Sequence, residues 1–159
     1  KIDYQPLGLY NGFWWTRMAN VQSARTRGLE GTFNVPLAKN LAWNTNLTKM
    51  LESKNLTTGA SLLAVPKLTV YSSLQWRLQA AWSAALSLRH TGKELVTTGT
   101  ATSFAKAYTT FDVSTNYHVN DTLTLRAGVV NVGDKQTRDL GSNYDNGGRT
   151  YFVGLTARF

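Results

Sequence analysis

The residues able to do chemistry are few and scattered. Cysteine is absent, and the only histidines are His90 and His118. Disulfides, thiolate metal sites and cysteine nucleophiles are therefore excluded. Two distant histidines with no neighbouring ligands advertise no metal centre. There is no G-x-S-x-G, no phosphate loop and no histidine paired with a carboxylate at helical spacing, so no enzyme signature is present. What remains is binding chemistry. Trp14, Trp15, Arg17, Lys93, Lys106, Arg138, Tyr144 and Arg149 offer cations and aromatic faces, which together suit an anionic aromatic ligand. A plainer alternative stands beside this one. The tryptophans and tyrosines form an interfacial girdle, and the basic residues meet anionic lipopolysaccharide.

The elements that carry these residues show in the hydrophobic period. Counting back from Phe159, the residues Ala157, Leu155, Val153 and Tyr151 are apolar or aromatic, while Arg158, Thr156, Gly154 and Thr150 lie between them. A period of two puts each set on its own face of a strand. A terminal strand that ends on an aromatic residue is the habit of outer-membrane barrels, and Tyr151, Val153, Leu155, Ala157 and Phe159 are assigned as the assembly signal. The alternation recurs in 29–37, 41–51, 67–78, 82–91, 108–119 and 123–129. These segments and the last make about seven strands of the length a tilted membrane strand needs, roughly ten residues. The alanine-rich stretch 78–88 is compatible with a helix, but its period-two neighbours favour a strand. No run approaches the roughly 18 apolar residues of a transmembrane helix.

The connections alternate too. Residues 36–40, 79–81 and 120–121 are short, whereas 53–66, 92–107 and 133–148 are long and rich in Gly, Thr, Ser and Asn. Short inner turns and long outer loops describe an antiparallel barrel meander. Glu30, Arg77, Arg89, Asp112, Arg126 and Arg158 share the parity of the polar residues. They are assigned to the lumen, because a cation at the bilayer midplane costs about 2–4 kcal/mol on the lipid side. They point into a lumen that is either wet or filled by something polar. Lys49 and Arg27 break the parity, which calls for a strand end or a bulge near Gly28. Seven strands leave two open edges, and these are not viable in lipid. The chain is thus expected to be the C-terminal piece of a larger barrel, with 1–12 an outer loop and strands over 13–159. A closed eight-strand barrel that recruits 1–12 is the alternative, although Pro6, Gly8 and Gly12 make that segment a poor strand.

The formal charge is +8, but the 17 lysines and arginines are spread along the chain and form no block. Nucleic acid is not the expected partner.

Three motifs carry a resemblance. Residues 20–31 (NVQSARTRGLEG), 128–135 (GVVNVGDK) and 148–151 (GRTY) followed by a terminal aromatic resemble segments of TonB-dependent outer-membrane receptors, in the same order. Val132-Gly133 departs from the usual Leu-Phe. Asn34-Val35-Pro36, Trp43, 46–48, 50–51, 53–55, 57–59 and Pro66 are similar to ferric catecholate receptors of the ferric enterobactin type. The likeness covers 13–159 and is best before residue 80. It implies an all-β, antiparallel transmembrane β-barrel of about 22 strands, of which this chain supplies the last seven, and an N-terminal plug that lies outside it. It implies TonB-dependent uptake of a ferric siderophore, no intrinsic cofactor, and contact with the TonB complex through the missing plug region. It further implies that bacteriocins or phage use the outer loops. The competing class is a passive barrel or adhesin without energised transport.

Overall fold

Seven period-two segments pair as one antiparallel sheet. The computed structural model describes residues 2–20, 23–98, 101–137 and 147–158, with side chains for all of these except 2–7, 10, 14–20 and 98. The described strands are β1 (Ile2–Tyr10), β2 (Phe13–Asn20), β3 (Ala24–Ala38), β4 (Leu41–Asn55), β5 (Leu68–Arg77), β6 (Trp82–Thr91), β7 (Glu94–Thr98), β8 (Ala101–Ala105), β9 (Tyr108–His118), β10 (Leu123–Val130) and β11 (Thr150–Ala157). The large sheet runs β11-β10-β9-β6-β5-β4-β3, and β1-β2 and β7-β8 are separate two-stranded sheets. All its pairings are antiparallel.

The register sorts the side chains. One face carries Leu155, Leu125, Tyr117 and Trp82 in a single row, and Val153 beside Ala127 and Thr115. Leu86 on the same strand as Trp82, then Leu74, Trp43 and Val35 continue it across three further strands. These side chains stay exposed, Val153 at 87% and Leu155 at 63%, so the sheet buries this face on nothing among the described residues. An apolar face of this kind belongs in lipid, and the opposite polar face belongs in the lumen. Polar groups on the lipid face bond to one another. Trp43 Nε1 donates to Ser72 Oγ at 2.8 Å, and Ser72 Oγ bonds Thr45 Oγ1 at 2.8 Å. Trp82 Nε1 donates to Thr115 Oγ1 at 2.6 Å, and Thr115 Oγ1 donates to the Ser83 carbonyl at 2.9 Å. His90 Nδ1 lies 2.9 Å from Thr109 Oγ1.

The register shifts between Arg27 and Gly28: Gly28 pairs with Met50 and Arg27 with Glu52, so the extra residue is Leu51 and the bulge lies on β4. Leu29 pairs with Lys49 on the lipid face. Beyond the bulge, Arg27 pairs with Glu52 and Arg25 with Lys54. β3 itself is unbroken there, so both arginines keep the side of Leu29 at the outer end of the strand, and the inserted Leu51 brings Glu52 and Lys54 over to them. Lys49 stays on the lipid face, but it pairs with Leu68, the first residue of β5, and so sits at the outer end where a cation costs little.

Three segments depart from the sequence expectation. Residues 1–12, expected as a loop, contain β1, which pairs with β2 through a two-residue turn at Asn11 (φ 49) and Gly12 (φ 78). Positive φ at both central residues is the type I′ geometry that matches strand twist. Pro6 is accommodated next to a register shift between Pro6 and Gly8, on an edge strand where its missing N–H costs nothing. The strand expected from Phe13 therefore pairs with β1 instead of extending the large sheet. The expected loop 53–66 begins later, since β4 runs to Asn55. The expected loop 92–107 contains the β7-β8 hairpin. Of loop 133–148, only 133–137 and 147–148 fall within the described residues.

A side-chain clasp closes the base of that last loop. Asn131 (φ 54) is 3% exposed. Its backbone N donates to Asp112 Oδ1 at 2.8 Å, and its Nδ2 donates to the carbonyls of Lys135 at 2.9 Å and Gly147 at 3.4 Å. Lys135 N donates back to Asn131 Oδ1 at 2.9 Å. Asp134 Oδ1 accepts from Arg149 N at 2.8 Å. A Cβ on Gly148 would stand 2.8 Å from that same oxygen, so the close approach requires glycine.

Two predictions follow from facing and clasp. In the full-length barrel, Leu125→Arg should cost about 2–4 kcal/mol of membrane stability and reduce the heat-modifiable folded band. Thr124→Arg, one residue away on the lumen face, should leave that band intact, and equal losses at both positions would refute the facing. Asn131→Ala should strand buried groups at about 1–3 kcal/mol each. It should speed limited proteolysis between 135 and 147 without abolishing the folded band, and unchanged cleavage would show that Asn131 does not hold the loop.

Candidate binding surfaces of the lumen face

The outer ends of three strands bring lysines together. Met50 N donates to the Lys67 carbonyl at 3.0 Å, and Lys67 N donates to the Lys93 carbonyl at 3.1 Å. The ladder thus continues two rungs past the pair Thr69–Thr91. Glu52 and Lys54 follow the Leu51 bulge on β4 and pair with Arg27 and Arg25. The result is a cleft of about 240 Å³ lined by Glu52, Lys54, Lys67, Lys93, Leu95 and Phe104 among others. Lys67 Nζ lies 5.6 Å from the Phe104 ring centroid, within cation–π range. Three cations against one carboxylate, next to an aromatic face, make a site for an anion with apolar or aromatic surface.

A small core holds the cleft. Leu62, Val96 and Ala105 are buried at 8%, 1% and 3% exposure. Ala64 N donates to the Leu95 carbonyl at 2.8 Å, which ties the 56–67 loop to the β7-β8 hairpin. That loop starts with Asn55, whose Oδ1 accepts from Thr57 N at 2.9 Å and Thr58 N at 3.3 Å. The Asn55-Leu56-Thr57 motif is thus an Asx turn. Burial also pushes the Glu94 carboxyl above its ordinary value.

Of the eight residues proposed from sequence, six fall on described backbone. Lys93 lines the outer cleft. Lys106 is exposed between β8 and β9 and lies outside that lining. Trp14, Trp15 and Arg17 lie on β2, opposite Leu9, Gly8 and Gln5 of β1. Arg138 and Tyr144 lie outside the described residues. Arg149 precedes β11 with the parity of Tyr151, on the lipid-facing side. Its side chain bonds Tyr151, and this bond, with a lesser contribution from Asp134, holds the guanidinium more firmly protonated than usual. Lys54, Lys67 and Phe104 were missed by sequence reasoning, and the strand register is the signal that groups the two lysines with Lys93.

The six charges assigned to the lumen do share one face. Arg89 lies 6.0 Å from the Tyr71 ring centroid, and Tyr71 Oη is 3.3 Å from Ser87 Oγ. Asp112 is engaged by Asn131 N, and Glu30 pairs with Thr48. Arg77, Ser83, Asn116 and Arg126 form one transverse row. Arg158 N donates to the Thr122 carbonyl at 2.9 Å. On β11, Tyr151, Val153, Leu155 and Ala157 oppose Val129, Ala127, Leu125 and Leu123. Phe159 lies outside the described residues.

Comparison with known proteins agrees with this architecture. The family described as TonB dependent receptor-like, beta-barrel matches residues 1–132. The ferric enterobactin receptor PirA of Pseudomonas aeruginosa is 34% identical over 89% of this chain and 21% of its own length. A second ferric enterobactin receptor of that organism is 33% identical over 100% of this chain and 24% of its own. The chain thus spans about a quarter or less of the curated relatives it matches. The crystal structure of a ferric enterobactin receptor (PfeA) mutant from Pseudomonas aeruginosa, in complex with enterobactin, superposes with a TM-score of 0.79 at 30% identity. That match covers 100% of this chain and 27% of that one. The chain belongs to the TonB-dependent receptor β-barrel family and forms part of a large outer-membrane barrel.

Proposed function

We propose that this chain is the C-terminal wall of a receptor that imports a ferric siderophore of the catecholate class across the outer membrane. Energy would come from the TonB complex, acting on a plug that lies outside this chain. The observation that carries the proposal is the outer cleft, where Lys54, Lys67 and Lys93 line one hollow with Phe104. A ferric tricatecholate is anionic and aromatic, so lysines and a ring meet both of its surfaces. The relatives named as ferric enterobactin receptors support the same cargo class.

The wider partner set belongs to the same proposal. Arg149 beside Tyr151 on the outer side suits the phosphates of lipopolysaccharide, and the exposed outer loops suit bacteriocins or phage. A passive barrel or adhesin would bind outside partners without a plug, and no observation favours it.

The test is titration of the purified full-length receptor with ferric enterobactin, followed by quenching of intrinsic fluorescence. Lys67→Gln combined with Lys93→Gln should weaken binding about tenfold and flatten its dependence on salt. Unaltered affinity and salt dependence would remove the cleft from the binding surface.

A further inference from the structure

The lumen wall holds cations at more than one depth, and they sit in steps. The outer step is the lysine cleft. The middle step is Arg89 over Tyr71, four residues from Lys93 and about 14 Å from it along the strand. The inner step lies six residues further along β6, about 20 Å on along the same tilted strand. There two clefts of about 500 and 410 Å³ meet at Ser83 and Asn116. Their charged lining among the described residues is Lys39, Arg77, Arg126 and Arg158 against Asp121 alone. Two further acids belong to the wall. Asp112 is the diagonal neighbour of Arg89 across the β6–β9 pair, with Oδ1 accepting from Asn131 N, and Glu30 lies on β3, three strands from Arg89.

The geometry points to a cationic path down this wall, in which Arg89 with Tyr71 and then Arg77, Arg126 and Arg158 successively hold a polyanionic metal chelate on its way inward. This rests on the anionic cargo proposed above. Spacings of 14–20 Å exceed the Debye length of about 8 Å at physiological salt. Each step is thus a separate weak site, and a chelate leaves one before it is held by the next. A single deep well would trap it instead. Arg89 is suited to the middle step because its guanidinium lies over a ring that a catechol can also stack against.

The test uses the full-length receptor in cells and in detergent. Arg89→Gln and the pair Arg126→Gln with Arg158→Gln should leave surface binding of ferric enterobactin within about twofold. They should slow uptake of the iron-labelled chelate about fivefold, as a fall in maximal rate with KM unchanged. Arg126→Lys with Arg158→Lys should restore most of the rate, because charge is what the inner step requires, whereas Arg89→Lys should restore less, because the guanidinium also stacks on Tyr71. Normal uptake by the Gln variants with intact binding would overturn the path. So would joint loss of binding and heat stability, which would mark these arginines as struts against the plug. If the unaltered receptor binds no ferric catecholate at all, the proposed cargo fails, and that outcome is distinct from failure of the path.

Discussion

In hydrocarbon no water is available to satisfy a backbone N–H or C=O, and this constraint governs everything else in the sheet. Every strand of the large sheet except β3 and β11 has two neighbours. Each of those two exposes a row of unpaired backbone groups toward where further strands of the barrel must lie. The same constraint explains the polar residues on the lipid face. Trp43, Ser72 and Thr45 satisfy one another, as do Trp82 with Thr115, and His90 with Thr109. Donors near the short turns keep a partner whether the surrounding medium is headgroup or acyl chain.

The second consequence is that parity becomes an energetic quantity. A misplaced cation at the midplane costs about 2–4 kcal/mol, comparable to a large fraction of what a single substitution usually does to a fold. Arg25 and Arg27 escape that cost by position, since they lie beyond Lys49 at the outer end of β3. The bulge at Leu51 of β4 sets Glu52 opposite Arg27, a carboxylate against a cation. A local irregularity in pairing thus places charge.

The seven sheet strands were legible from the sequence because alternation is a local signal, and 82–91 matches β6 at both ends. β1 was not legible, because Pro6 and Gly8 argue against a strand unless the register shift beside them is known. The β7-β8 hairpin hid in a stretch of small and hydroxylated residues whose pairing partners are five or fewer residues long. The outer cleft was least legible. Lys54, Lys67 and Lys93 are each 13 or more residues apart in sequence, and only the pairing of β4, β5 and β6 brings them to one cleft. Binding sites on sheets are non-local for this reason, whereas facing is local.

The clasp shows how two sequence motifs can be one physical object. The segment GVVNVGDK and the segment GRTY flank the last outer loop. Asn131 spans both limbs of that loop through the carbonyls of Lys135 and Gly147, and Asp134 reaches the backbone N of Arg149 across a glycine that leaves room for it. The Val132-Gly133 departure from the family pattern touches none of these contacts. Its two residues are exposed, and Val132 contributes its backbone N to the Phe111 carbonyl. That bond and the clasp contacts constrain backbone and polar atoms while leaving the identity of the residues at 132 and 133 free. The base of the loop is thereby fixed on the barrel, with Asp112 anchoring it to the polar face of β9.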